Sequence, residues 1–176
     1  EWVEIVKTAH RVGLKTTSTM LYGHIEDEIH VIEHLEILRN IQRETGGITE
    51  FVPLPFNPKG SVLYAKNPRV RLATPEQTLK LIAVSRIYLD KWIPNIQAGW
   101  AHLGLDLALR ALNVGANDLG ETIFEDDIVR SPAEESRSEI SPAQMNTIIR
   151  RAGKTPRTRD TSYRHTTSRR ELVGAR

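Results

Sequence analysis

The sequence predicts an α/β fold on a parallel sheet, half of a (β/α)8 TIM-type barrel. Two observations carry this. Stretches of helical period alternate with short β-type runs in the order α-β-α-β-α-β-α-β, which favours parallel strands joined by crossover helices. The first β-type run, within residues 14–26, is β-branched or apolar without alternation at Thr16, Thr17, Thr19, Met20 and Leu21, as suits a strand covered on both faces. It ends in Gly23-x-x-Glu26.

Residues 2–12 place Trp2, Ile5, Val6, Ala9 and Val12 on one face, with Gly13 as terminator, so an amphipathic helix precedes that strand. Over residues 27–45, Val31, Ile32, Leu35, Leu38 and Ile41 recur at helical spacing until Gly46 and Gly47. Residues 48–56 read as a short strand with Pro53 and Pro55 near its end. Residues 57–73 form a long loop, of a length more often functional than inert. Thr74-Pro75-Glu76-Gln77 is a capping box with Pro at the first helical position, and the expected buried stripe behind it is Leu79, Ile82, Ala83 and Ile87. Residues 93–100 give a third strand, 103–114 a helix closed by Gly115, and 116–120 a fourth strand. An acidic segment, 121–139, follows. Ser141-Pro142-Ala143-Gln144 then repeats the capping pattern before a helix carrying Met145, Ile148 and Ile149, ended by Gly153 and Pro156. The units expected are the sheet and its helices (1–120), a C-terminal extension with a short helix (121–156), and a basic tail (157–176) whose few apolar residues predict disorder.

Composition narrows the function. With 176 residues, 39% hydrophobic and 26% charged, the chain is an ordinary soluble domain with a real core. It contains no membrane-length apolar stretch and opens on no basic-then-apolar leader, so a cytoplasmic location is expected, without membrane partners. The absence of cysteine excludes a disulfide, a zinc–thiolate site and a thiolate-held iron–sulfur cluster within this chain. The net charge of +2 hides an asymmetry: residues 149–176 carry nine Lys or Arg against Asp160 and Glu171, net +7, which leaves −5 on the rest. The chain starts on Glu1 inside a helical pattern with no capping residue before it, so it reads as a piece of a longer protein.

Each candidate chemistry has a plainer reading beside it. A carboxylate and a glycine at the end of a barrel strand suit ligand contact, although Gly23-x-x-Glu26 also suits an ordinary βα turn. His30-Val31-Ile32-Glu33-His34 matches the HxxEH form of inverted zinc proteases, but the stripe centred on Leu35 and Leu38 turns His30 and Glu33 outward and no third ligand is evident, so no metal site is expected. The basic tail lacks interleaved aromatics except Tyr163, which argues against nucleic acid. Asn95, Gln97, Asn117, Asp118 and Glu125 are expected at the mouths of the later strands, where such groups suit a polar small molecule; singly, each also suits a loop cap.

Thr17-Ser-Thr-Met-Leu-Tyr-Gly-His-Ile-Glu26, Thr45-Gly-Gly-Ile-Thr-Glu-Phe-Val-Pro-Leu-Pro-Phe56, Ile93-Pro-Asn-Ile-Gln97 and Gly115-Ala-Asn-Asp-Leu-Gly120 together resemble the radical S-adenosylmethionine enzymes of deazaflavin and menaquinone biosynthesis. The Phe-Val-Pro-Leu-Pro-Phe run and Arg159-Asp-Thr-Ser-Tyr163 most resemble CofH, subunit 2 of FO synthase. The resemblance covers residues 1 to about 163. It implies a barrel in which a [4Fe–4S] cluster on a CxxxCxxC loop cleaves S-adenosyl-L-methionine to a 5′-deoxyadenosyl radical that attacks L-tyrosine. The 4-hydroxybenzyl fragment joins 5-amino-6-(D-ribitylamino)uracil, and the partner subunit 1, CofG, closes the FO chromophore of coenzyme factor-420. This chain would supply strands five to eight. Tyr22, Gly23 and Glu26 then lie on the cofactor side and Asn95, Gln97 and Asn117 on the substrate side, with catalytic residues unassigned. Glu121 after Gly120, and residues 131–139, depart from the family pattern. Lacking the cluster loop, the chain is expected to be inactive alone and to need the missing N-terminal barrel half. The alternatives are aminofutalosine synthase or the dehypoxanthine futalosine cyclase of the menaquinone pathway, and a non-catalytic scaffold half-barrel.

Overall fold

The computed structural model describes residues 1–58, 61–67, 70, 72–120 and 140–166. In chain order the elements are α1 (Trp2–Arg11), β1 (Thr16–Tyr22), α2 (Glu28–Thr45), β2 (Ile48–Pro55), α3 (Val62–Lys66), α4 (Pro75–Leu89), α5 (Trp100–Leu103), α6 (Leu105–Ala111), α7 (Pro142–Arg151), β3 (Thr158–Arg159) and β4 (His165–Thr166). The capping boxes read from sequence form as expected: Thr74 Oγ1 accepts from the Gln77 N–H while Gln77 Oε1 accepts from that of Thr74, and Ser141 and Gln144 do the same.

β1 and β2 pair in parallel, with Ser18 opposite Phe51 and Tyr22 opposite Pro55. The third and fourth expected strands are present only as single parallel bridges, Phe51 with Ile96 and Gln97 with Asp118. They nevertheless extend the sheet: Phe51 N–H donates to Asn95 O, Gln97 N–H to Phe51 O and Ala98 N–H to Asp118 O, each at 2.8–2.9 Å. Pro94 and Gly99 bound one segment and Gly115 and Gly120 the other, which leaves few residues to build a ladder. The architecture is mixed α/β with a small parallel sheet.

The pleat sends Met20 and Tyr22, Phe51 and Ile96 to one face. There they are buried with Leu35, Leu38 and Ile41 of α2, Leu81, Ile82 and Leu89 of α4, and Ala108 and Ala111 of α6. Two expected stripes are corrected. On α4 the buried residues are Thr78, Leu81, Ile82, Ser85 and Leu89, and Ile87 is 81% exposed. Apolar residues lie all round this helix, so the sheet selects the side where small Thr78 and Ser85 permit close approach. On α1 no residue is fully buried: Val3 and Val6 touch the core, while Ile5 and Val12 stay exposed. The loop at 57–73 contains α3, capped where Tyr64 N–H donates to Ser61 Oγ. The disorder expected from residue 157 onward is corrected for residues 157–166, where β3 and β4 pair as an antiparallel hairpin. The acidic segment 121–139 and residues 167–176 lie outside the described residues.

His10 ties α1 to the sheet. Its Nδ1 lies 2.6 Å from Thr45 Oγ1 and its Nε2 2.9 Å from Thr16 Oγ1. Thr45 spends its own hydroxyl proton on Ile41 O, so it accepts from Nδ1–H, and in the neutral ring Nε2 accepts from Thr16. A Cβ at Gly47 would collide with that ring. Burial, with the charge of Lys15, lowers the His10 pKa below its ordinary 6.5; burial does the same to His34. A depressed folded-state pKa means that the stability is present above about pH 6.5 and is lost as pH falls through the folded value. Denaturant midpoints should therefore drop between about pH 7 and pH 5, and His10→Asn should show a smaller drop, with His34 supplying the remainder.

Candidate functional site

On the face away from the helices, the register places Thr17, Thr19 and Leu21 beside Glu50, Val52 and Leu54, and the row continues through Gln97 and Asp118. Leu21 is 48% exposed, whereas Glu50 is only 5% exposed. The β3–β4 hairpin covers Glu50. Arg159 Nε donates to Asp118 Oδ2 at 2.7 Å and its Nη2 reaches Glu50 Oε2 at 3.4 Å. The Tyr163 hydroxyl lies 2.6 Å from Glu50 Oε2 and 2.8 Å from Asp118 Oδ2, one proton facing two carboxylates. Gln97 Nε2 donates to Glu50 Oε2 at 3.2 Å, and the Arg159 guanidinium lies 4.3 Å from the Tyr163 ring centre. Tyr163, at φ 61°, has the one positive φ among the described non-glycine residues, a conformation held in place by this ring of contacts. Burial pushes the Tyr163 phenol well above its ordinary value, helped by the bond to Glu50 and the charge of Asp118. Burial opposes the charge on Arg159, but its bond to Asp118, with the surrounding negative groups, raises its pKa overall.

At the end of β1 the side chains turn inward on the protein. Tyr22 belongs to the helix-covered face, where its hydroxyl lies 2.9 Å from Thr78 Oγ1 of α4. Gly23, at φ 84°, passes so close to Ala73 that an added Cβ would lie 2.8 Å from the Ala73 Cβ. Glu26 accepts from the Gly23 N–H, and from the His24 N–H at 3.0 Å, while His24 Nδ1 lies 2.7 Å away. Burial works to raise the Glu26 pKa, but the backbone donors of Gly23, His24 and Glu26 itself, with His24, hold it below the ordinary carboxylate value. A cavity of about 580 Å³ opens beside this turn between the first turns of α2 and α4, over Val31, Leu81 and Val84, within the helix layer.

The later candidates separate. Asn95 and Asn117 were expected at the C-terminal mouths, yet each directly precedes the bridged residue of its segment, Ile96 and Asp118, toward the opposite end. Asn95 Nδ2 donates to Thr49 O, and Asn117 Oδ1 accepts from the Ile96 N–H and Arg86 Nη2. Their amides are spent on the backbone of neighbouring strands because short ladders leave those groups to be satisfied by side chains. Gln97 alone of the three joins the polar row. Glu125 lies outside the described residues. The HxxEH residues serve α2 and its neighbours: His30 Nδ1 accepts from the Asp27 N–H as part of a cap, and His34 stacks on Trp2. Among the described residues, no group of three or more His, Asp or Glu could hold a metal ion. Glu50 was missed, although a carboxylate in the middle of an apolar strand, Ile48-Thr-Glu-Phe-Val52, is a signal for a buried partner.

The family model of the CofH/MqnC C-terminal region matches residues 45–172. The chain belongs to this family. It is 47% identical over 165 residues to a 5-amino-6-(D-ribitylamino)uracil–L-tyrosine 4-hydroxyphenyl transferase of Archaeoglobus fulgidus, covering 93% of this chain and 47% of that protein. Proteins of the same name from Methanococcus aeolicus and Methanothermobacter thermautotrophicus are each 45% identical over 93% of this chain and 45% of theirs. The chain spans about half the length of the curated relatives it matches. The resemblance read from the sequence motifs is thereby borne out at the level of the family.

The Arg159 contacts make a stability prediction. Arg159→Met removes the cation that faces buried Glu50 and half-buried Asp118 and should cost about 3 kcal/mol of unfolding free energy, whereas Tyr163→Phe, which removes one hydroxyl, should cost about 1–2 kcal/mol. Urea titration of both variants measures this, and near-equal losses would show that the hairpin is not held by charge.

Proposed function

We propose that the chain forms strands five to eight of a (β/α)8 barrel in a radical S-adenosylmethionine transferase, which joins the 4-hydroxybenzyl group of L-tyrosine to 5-amino-6-(D-ribitylamino)uracil. The observation that carries this reading is the shared name of the curated relatives over 93% of the chain. In support, one face of the sheet is sealed by helices while the other bears a row of polar groups, and β1 has no strand on its outer edge among the described residues. A missing front half would complete both the row and the edge. No described helix is long and apolar enough to cross a membrane, and we read the enzyme as cytoplasmic, with CofG taking its product onward.

The chain's own donors do not fit an iron–sulfur cluster, since it has no cysteine; the cluster ligands belong to the front half in this reading. S-adenosyl-L-methionine fits better. Leu21, apolar and half-exposed on the open face, offers a surface to a nucleobase, and the Gly23–Glu26 turn beside it is braced by Glu26. Bound there, the cofactor supplies radical chemistry; this chain's part is to hold its nucleoside end. Glu26 does so by shaping the turn, Tyr22 by anchoring β1 to α4, and Asn95 and Asn117 by aligning the strands that present Gln97. A second reading, a menaquinone-pathway cyclase or synthase, rests on the family model, whose description spans both branches.

Two outcomes are expected. Mixed with a separately produced CxxxCxxC-bearing front half, the chain should consume ring-labelled tyrosine and label the uracil, and neither part should do so alone. Turnover of a futalosine-type substrate without tyrosine would move the assignment to the second reading. In the reassembled enzyme Glu26→Ala should weaken S-adenosylmethionine binding roughly tenfold, the loss of about one charge-assisted hydrogen-bonded brace; unchanged affinity would remove Glu26 from that role.

A further inference from the structure

Gln97 has a fixed orientation that most surface amides lack. Glu50, when ionised, only accepts hydrogen bonds, so the end of the Gln97 amide facing it at 3.2 Å is the NH2 group. Glu50 is in turn held by Arg159 and by the Tyr163 hydroxyl. The carbonyl oxygen of Gln97 is therefore turned the other way, toward the C-terminal ends of the two bridged segments. Glycines stand there on both sides. A Cβ at Gly120 would lie 3.3 Å from Gln97 Oε1, and one at Gly99 would lie 3.5 Å from it. Gly120 is itself pinned, its N–H donating to Asp118 Oδ1 at 2.6 Å, while the other oxygen of Asp118 takes Arg159. The same network thus orients the amide and the backbone beside its oxygen.

We propose that Gln97 Oε1 is a specificity-determining acceptor for an N–H group of the substrate, and that Glu50, Arg159 and Tyr163 are positioning residues that set which end of the amide faces the ligand. The proposal rests on the transferase reading and deepens it: the ligand group at Gln97 is an N–H of a nitrogen heterocycle such as an aminouracil, not a carbonyl oxygen or an anion. An acceptor-only group at this point selects against isosteres in which the N–H is blocked, because the Gln97 oxygen is then left facing a methyl group.

Calorimetric titration of the chain reassembled with its front half, with 5-amino-6-(D-ribitylamino)uracil and with its ring-N-methylated analogue, tests this. The unaltered chain should prefer the N–H form roughly tenfold, the effect of one hydrogen bond made or left unmade. Gln97→Leu should bind both forms alike. Glu50→Gln, whose amide accommodates either orientation of Gln97, should reduce the preference to about twofold while the chain remains folded by circular dichroism. The ratio of the two affinities is a readout that loss of stability does not move. A tenfold preference retained in Gln97→Leu overturns the assignment, and so does an unaltered chain that binds both forms equally or neither. The transferase reading is decided separately, by the activity of the reassembled enzyme.

Discussion

Glu50 and Phe51 are neighbours in β2, and the pleat sends them to opposite sides of the sheet, where both are buried. Phe51 enters an apolar layer roofed by α2, α4 and α6, which needs nothing but matching shapes. Glu50 enters a polar layer, where an ionised carboxylate is tolerated only with its acceptor sites filled. Everything distinctive about the second face follows from that requirement: the hairpin of β3 and β4 brings Arg159 and Tyr163 across more than a hundred residues of sequence to meet Glu50, with Asp118 beside it.

This coupling explains why so short a sheet holds together. Among the described residues, the sheet continues beyond β2 by one bridge to Ile96 and one from Gln97 to Asp118, and side chains do the rest. Asn95 and Asn117 satisfy backbone groups at one end of these segments. Arg86 of α4 donates to Gly115 O and Pro94 O as well as to Asn117. Arg159 joins the segments from the other face. Polar side chains that look like ligand groups in the sequence thus serve as substitutes for a ladder.

The site divides in the same way. At the end of β1 the carboxylate of Glu26 is folded onto its own turn, so its influence on a bound cofactor passes through the shape of the Gly23 backbone. At the third segment the amide of Gln97 is aimed by a carboxylate behind it and flanked by glycines in front. Both arrangements fix geometry before any ligand arrives, which is the condition for precise positioning on a rigid scaffold.

The sequence by itself determined the order and type of the main elements, because hydrophobic period and capping chemistry act over a few residues: the Thr74 and Ser141 boxes and the stripe of Leu35, Leu38 and Ile41 stand where they were read. It also carried the family, through motifs spread from Thr17 to Tyr163. Only the tertiary structure decided which face of α4 is buried, since that helix is apolar on several sides, and only it gave order to a segment whose composition argued for none. The anchors of that segment, Arg159 and Tyr163, are stabilised by Glu50 and Asp118, and no local pattern encodes a bond between residues so far apart in the chain. Likewise the difference between Gln97 and its neighbours Asn95 and Asn117 lies in their register, which is set by pairing with β2, so three similar amides acquire different work only when the strands meet.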